Sequence, residues 1–228
     1  FLDQNLVQSY LRVRNLYWRL CHRGGRGLEE AFVFDPSVLK FGGNFWLSGY
    51  LQSWRYFDGV GVELRNEITK VENPTNFYHK AQKEIHNAPV SVAVHVRRGD
   101  YVSNSYMGIV PEKYYERSLN LLESLIGDFQ VFIFSDDADS LIEESFLSKW
   151  ASRMTVLRAS KDSRPVETLR LIAMCDHVVM ANSSFSWWGA WLGQRENRQV
   201  IYPRPWLAGA RADDRDFTLP TWISIGTE

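Results

Sequence analysis

The chain has 228 residues, 45% apolar and 23% charged, a length and balance that allow one substantial core, or one domain and part of a second. With 26 basic against 27 acidic side chains, bulk charge excludes a general attraction to nucleic acid, so any phosphate-binding charge must be local.

The first 88 residues are irregular. Residues 7–20 read as a helix, 21–27 (CHRGGRG) as a loop, 44–54 as strand-like and 76–86 as a second helix. From residue 89 the pattern is regular. Strands are predicted over 91–96, 129–135, 154–158, 177–182 and 199–203. Helices are predicted between them over 111–126, 139–150, 165–175 and 184–193, with Pro111 opening the first. Strands alternating with helices at this spacing mean βαβ units: an α/β fold with a Rossmann-like, doubly wound parallel sheet over 89–228, and 1–88 forming part of a second α/β domain.

No apolar run reaches 18 residues. Cys21 and Cys175 stand far apart and read as buried thiols, and no Cys/His spacing resembles a zinc site. Nine tryptophans and ten tyrosines suit a packed core and also a surface that handles sugars. The chain opens without an initiator Met or a signal peptide, and the expectation is that a segment, with any membrane anchor, precedes it.

Three motifs fall where strands end, the edge on which open α/β sheets bind ligands. The first is His95-Val-Arg-Arg-Gly-Asp100. Arg97 and Arg98 supply guanidinium forks that match phosphate oxygens, as a diphosphate would require. Arg98-Gly99-Asp100 is also an adhesion tripeptide, but it follows a buried strand and not a long exposed loop. The second is Phe134-Ser135-Asp136-Asp137, whose carboxylates can accept from ribose hydroxyls or base N–H groups, or cap the next helix. Asp137-Ala138-Asp139 has a D-x-D spacing that could hold a divalent metal, which the two arginines make less necessary.

The third motif is Asn182-Ser183-Ser184-Phe185-Ser186, ahead of a helix carrying Trp187, Trp188 and Trp191. A helix N-terminus with three hydroxyls makes an anion cradle, or simply a good serine cap. Asn182-Ser183-Ser184 also fits a glycosylation sequon, in a poor place for one. No Walker lysine motif and no G-x-G-x-x-G occurs, which excludes the ordinary ATPase and dinucleotide readings.

At these residues the chain resembles the α-1,2-fucosyltransferase family, galactoside 2-alpha-L-fucosyltransferases of glycosyltransferase family 11. The likeness rests on His95 to Val102, Phe134 to Asp137, Glu167-Thr168-Leu169, Cys175-Asp176-His177 and Asn182 to Leu192, with Phe34 to Leu39 and Gly49 to Phe57 upstream. It implies a GT-B fold, GDP-fucose as donor, and inverting transfer to the 2-hydroxyl of a terminal galactoside without a cofactor or an essential metal.

The resemblance assigns catalysis to Arg97, Arg98 and Asp100, the last as the residue that orients the arginines. Donor binding falls to His95, Ser135, Asp136, Asp137, Glu167, Asn182, Ser183, Ser184, Phe185 and Ser186. For Glu167 the plain alternative is a favourable charge in the first turn of its helix. The glycine-rich opening segment of the family is missing here, consistent with a chain that lacks its N-terminal part. The alternatives are a protein O-fucosyltransferase and a non-catalytic GDP- or sugar-binding module. Location follows source: cytoplasmic or at the membrane face for bacterial relatives, Golgi membrane for animal ones.

Overall fold

The computed structural model describes residues 33–40, 52–68, 70–99, 101, 108–139, 141, 145–207 and 216–228. Among these, six strands form one sheet: β1 (Ser91–Val96), β2 (Gln130–Ser135), β3 (Met154–Leu157), β4 (His177–Val179), β5 (Val200–Arg204) and β6 (Ile223–Gly226). Their order is β3-β2-β1-β4-β5-β6, and every pairing is parallel. The helices are α1 (Gly61–Ile68), α2 (Asn76–Asn87), α3 (Glu112–Ile126), α4 (Pro165–Met174) and α5 (Ser184–Leu192).

A parallel sheet is covered on both faces, so its strands are apolar throughout instead of alternating. β1 meets that demand: Val92, Val94 and Val96 pack with Tyr114, Leu119 and Leu122 of α3 on one face. Ala93 points to the other, where Tyr78 and Ile85 of α2, Leu171 of α4, and Trp187 and Trp191 of α5 close the core. Period-two geometry therefore turns His95 toward the α4 and α5 side. α4 and α5 pack closely because Gly189 has no side chain; a Cβ there would collide with Ile172.

All five expected strands, and the helices expected over 76–86, 111–126, 165–175 and 184–193, lie within three residues of their predicted bounds. Two expectations need correction. The segment predicted as an α-helix over 139–150 is, where described, a 3-10 helix over Ser145–Arg153. β6 is an additional strand, with apolar residues only at Ile223 and Ile225, too short to read from periodicity. The predicted helix at 7–20 and most of the strand-like run at 44–54 lie outside the described residues, and the end of that run enters a 3-10 turn at Trp54. The helix expected at 76–86 is α2, capped by Thr75, whose hydroxyl accepts from the Tyr78 N–H.

Candidate functional site

The carboxyl ends of β2, β1 and β4 lie side by side. After β1 the chain crosses through α3 on one face, whereas after β4 it enters α5 on the other. Loops leaving adjacent strands toward opposite faces open a crevice between them, the switch point at which doubly wound sheets hold ligands.

The β1 loop carries the arginines, and a carboxylate from the β2 end organises it. Asp136 Oδ1 accepts from the Arg98 backbone N–H at 2.9 Å, and Oδ2 pairs with Arg97 Nε at 3.2 Å. The Arg97 guanidinium also lies 5.4 Å from the centre of the Tyr101 ring, a cation–π distance. Tyr101 in turn donates its hydroxyl to the Asn182 carbonyl at 3.3 Å, which joins the β1 loop to the β4 loop. Arg98 is half-buried, its Nη1 donating to the Val110 carbonyl at 3.1 Å. Asp100, expected to orient the arginines, lies outside the described residues.

His95 is buried, and its ring lies 5.8 Å from that of Phe185 in the first turn of α5. Burial pushes its imidazole down to about 4, with Asp136 opposing and Arg97 adding to the fall, so it is neutral near pH 7. Its Nδ1 has no hydrogen-bond partner among the described residues. An orphaned buried polar atom at a crevice wall is a ready contact for a ligand.

In the β4 loop, Ser183 caps α5: its Oγ accepts from the Phe185 N–H at 3.3 Å. Ser186 is fully buried and its hydroxyl stays within the loop, 3.1 Å from the Ala181 carbonyl and 3.0 Å from that of Ser183. Ser184 is exposed and Phe185 half-buried. Asn182 is buried, with its amide nitrogen donating to the Gly108 carbonyl at 3.1 Å, which leaves the sequon unsuited to glycosylation in the folded chain.

Ser135 and Asp137 form a tight turn, the Asp137 N–H donating to Ser135 Oγ at 3.1 Å. Asp139 pairs with Arg158 and so does not converge with Asp137. Among the described residues, no three His, Cys, Asp or Glu side chains are grouped to hold a metal ion.

Glu167 has a different setting. Its buried carboxylate accepts from the Thr75 N–H and hydroxyl, each at 2.8 Å, and from the Arg164 N–H at 3.2 Å. Burial alone would raise its pKa, but these hydrogen bonds outweigh it and hold the carboxyl below its ordinary value. Glu167 thus ties the start of α2 to the start of α4.

Gly99 and Tyr101 stand within the run from His95 to Val102, but the residue pattern there assigns neither a role at the site. A glycine at a strand end is the available signal for Gly99, since it marks a close backbone approach; nothing in the spacing reveals the bridge from Tyr101 to Asn182. Taken together, the crevice offers fixed positive charge, a helix N-terminus and a neutral imidazole. That combination suits an anion attached to a polar group.

A family model described as "Glycosyl transferase family 11" matches residues 33–226. The chain is 30% identical over 183 residues to an alpha-1,2-colitosyltransferase of Escherichia coli, covering 78% of this chain and 61% of that protein. It is 29% identical over 167 residues to the O-antigen biosynthesis glycosyltransferase WbnK of the same organism, covering 72% and 53%. It is 28% identical over 198 residues to galactoside alpha-(1,2)-fucosyltransferase 2 of Bos taurus, covering 78% and 54%. The chain therefore spans between about half and three-fifths of the length of these relatives. Among solved structures it is similar to POFUT1 in complex with GDP, at 16% identity and a TM-score of 0.43, covering 61% of this chain and 51% of that one.

Proposed function

We propose a sugar transfer from one premise: the chain belongs to glycosyl transferase family 11. In this reading it carries the donor-binding half of an inverting fucosyltransferase of the GT-B type. L-fucose moves from GDP-fucose to the 2-hydroxyl of a terminal galactoside, forming an α-1,2 linkage. Residues 89–228 carry the donor-binding sheet, and the acceptor-side domain lies in the part of 1–88 that precedes the helices packed on that sheet. The observation that carries the reading is the arginine pair, braced by Asp136 and Tyr101, at the switch point of a family 11 sheet. Its relatives named as α-1,2 transferases support the linkage.

In the reaction, the bond from the fucose anomeric carbon to the β-phosphate oxygen breaks and GDP leaves with its electron pair. The acceptor 2-hydroxyl adds to the opposite face of the sugar and loses its proton. Charge grows on the β-phosphate in the transition state, where Arg97 and Arg98 are placed to meet it together with the first turn of α5. Fixed guanidinium charge takes the part a divalent metal plays in other transferases, so transfer proceeds without one. His95, neutral and buried, supplies a hydrogen bond to the donor without adding charge.

Calorimetric titration of GDP into the chain, with and without EDTA and with Arg97→Ala as control, tests the donor site. Binding that survives EDTA and is lost in the variant is expected; absence of GDP binding by the folded chain sinks the reading. A transfer assay offering lactose beside a folded protein domain then separates a galactoside acceptor from a protein acceptor.

A further inference from the structure

Asp136 touches both arginines, and how it does so sets it apart from a ligand contact. One oxygen accepts from the backbone of Arg98 and the other from the side chain of Arg97, so a single carboxylate fixes both the path of the loop and the direction of a guanidinium. The carboxylate is drawn in closely: a Cβ at Gly99 would collide with Oδ2. Gly99 does not need glycine for its backbone angle, because its φ lies outside the left-handed region. What it provides is room for Asp136. The Tyr101 ring, 5.4 Å from the Arg97 guanidinium, adds a second contact to the brace.

We infer that Asp136 is a positioning residue, which acts on the donor through Arg97 and Arg98 and does not read the base or the ribose, with Gly99 as the space that lets it do so. The inference rests on the nucleotide-diphosphate reading above and names the device that aligns the arginines for the β-phosphate. Both groups are partly open to water, with side-chain exposures of 30% for Arg97 and 22% for Asp136. The pair is thus reachable by a ligand without being a buried ion pair whose loss would unfold the chain.

Charge alone makes the opposite prediction to positioning, and that makes the experiment decisive. Removing a carboxylate beside a diphosphate site lessens repulsion and would tighten GDP. Removing a brace loosens the arginines and weakens it. GDP and GMP are titrated into the wild-type chain, Asp136→Asn, Asp136→Ala, Gly99→Ala and the Gly99→Ala/Asp136→Ala double variant, each checked for folding by circular dichroism and thermal melting.

Asp136→Ala is expected to weaken GDP about tenfold while GMP changes less than about twofold, because only GDP carries the phosphate that the arginines meet. Asp136→Asn, which keeps the acceptor for Arg98 but loses the charged contact to Arg97, should fall between. Gly99→Ala should reproduce the selective loss with Asp136 present, and should add nothing in the double variant.

Tighter GDP binding in Asp136→Ala overturns the inference. So does an equal loss for GDP and GMP, which marks a carboxylate that reads the nucleoside. Additive losses in the double variant overturn the part played by Gly99. If the folded wild-type chain binds neither nucleotide, the donor reading itself fails, and the inference with it.

Discussion

Thr75 presents its backbone N–H and its hydroxyl to the two carboxylate oxygens of Glu167, each at 2.8 Å, across 92 positions of sequence. This pairing fastens α2 onto the sheet domain. Glu167→Ala would leave two donors of Thr75 unmet in a partly buried place, a cost of about 3 kcal/mol. For a chain of this length that corresponds to a melting temperature lower by roughly 6–12 °C. The sign with pH follows from a carboxyl held below its ordinary value: the contribution is complete above the unfolded pKa and is lost as pH falls through the folded one. Thermal melts of the wild type and Glu167→Ala should therefore converge in acid.

His95 sets a second pH dependence in a different window. Its folded pKa is about 4 against 6.5 when unfolded, so the unfolded chain binds the extra proton between those values. Stability should be intact above about pH 6.5 and fall by about 2 kcal/mol between pH 8 and pH 5 from this group. His177, also lowered by burial, acts in the same direction. Urea unfolding at pH 8 and pH 5 measures the loss, and His95→Gln should remove the larger share of it.

Under the proposed transfer, Arg97→Ala removes a guanidinium from the place where phosphate charge would develop. Turnover should fall at least about a hundredfold, as when one transition-state donor is lost. Arg97→Lys keeps the charge but not the fork that meets Asp136 through Nε, and should recover only a small part. Steady-state kinetics of fucose transfer decide this, and near-normal transfer by a folded Arg97→Ala chain would refute the mechanism.

Cys175 should be inert. It is buried, and burial pushes its thiol up to about 12, so almost no thiolate exists at neutral pH. A thiol reagent at pH 7.5 should label Cys175 only after denaturant is added; labelling in the native chain would mean that α4 opens locally.

Ser183 and Ser186 hold the β4 loop through hydrogen bonds inside it. Ser183→Ala should cost about 1 kcal/mol as a lost cap. Ser186→Ala should cost a similar amount and leave GDP affinity within about threefold of the wild type, because its hydroxyl faces two carbonyls of its own loop. A much larger loss of affinity would place that hydroxyl against the ligand.

Much of the fold is legible in local patterns. Short, mostly apolar, β-branched or aromatic runs such as 91–96 and 130–135 read as strands buried on both faces, and their spacing leaves room for helices between them, so a parallel sheet follows. The position of the site follows as well: Arg97, Asp136 and Ser183 each stand just past the end of a strand or its extension, and parallel strands bring those ends to one edge. Local pattern failed at 145–153, where the chain takes a 3-10 path despite helical spacing, and at β6, where two apolar residues supply too little periodicity.

What the amino-acid order determined by itself was the chemistry available at that edge: two guanidinium groups, a carboxylate pair, a histidine and a serine-capped helix. Tertiary structure alone decided which of them face a ligand and which face each other. Asp136 turns to the arginines, Glu167 to Thr75 and Ser186 to its own loop, while His95 keeps a buried nitrogen that no described residue meets. The reason is physical. A strand's period assigns each residue to a face of the sheet, but a hydrogen bond is made or lost within a few tenths of an ångström. At that scale the deciding neighbours come from distant parts of the chain: Asp136 lies 38 residues from Arg98, and Thr75 lies 92 from Glu167.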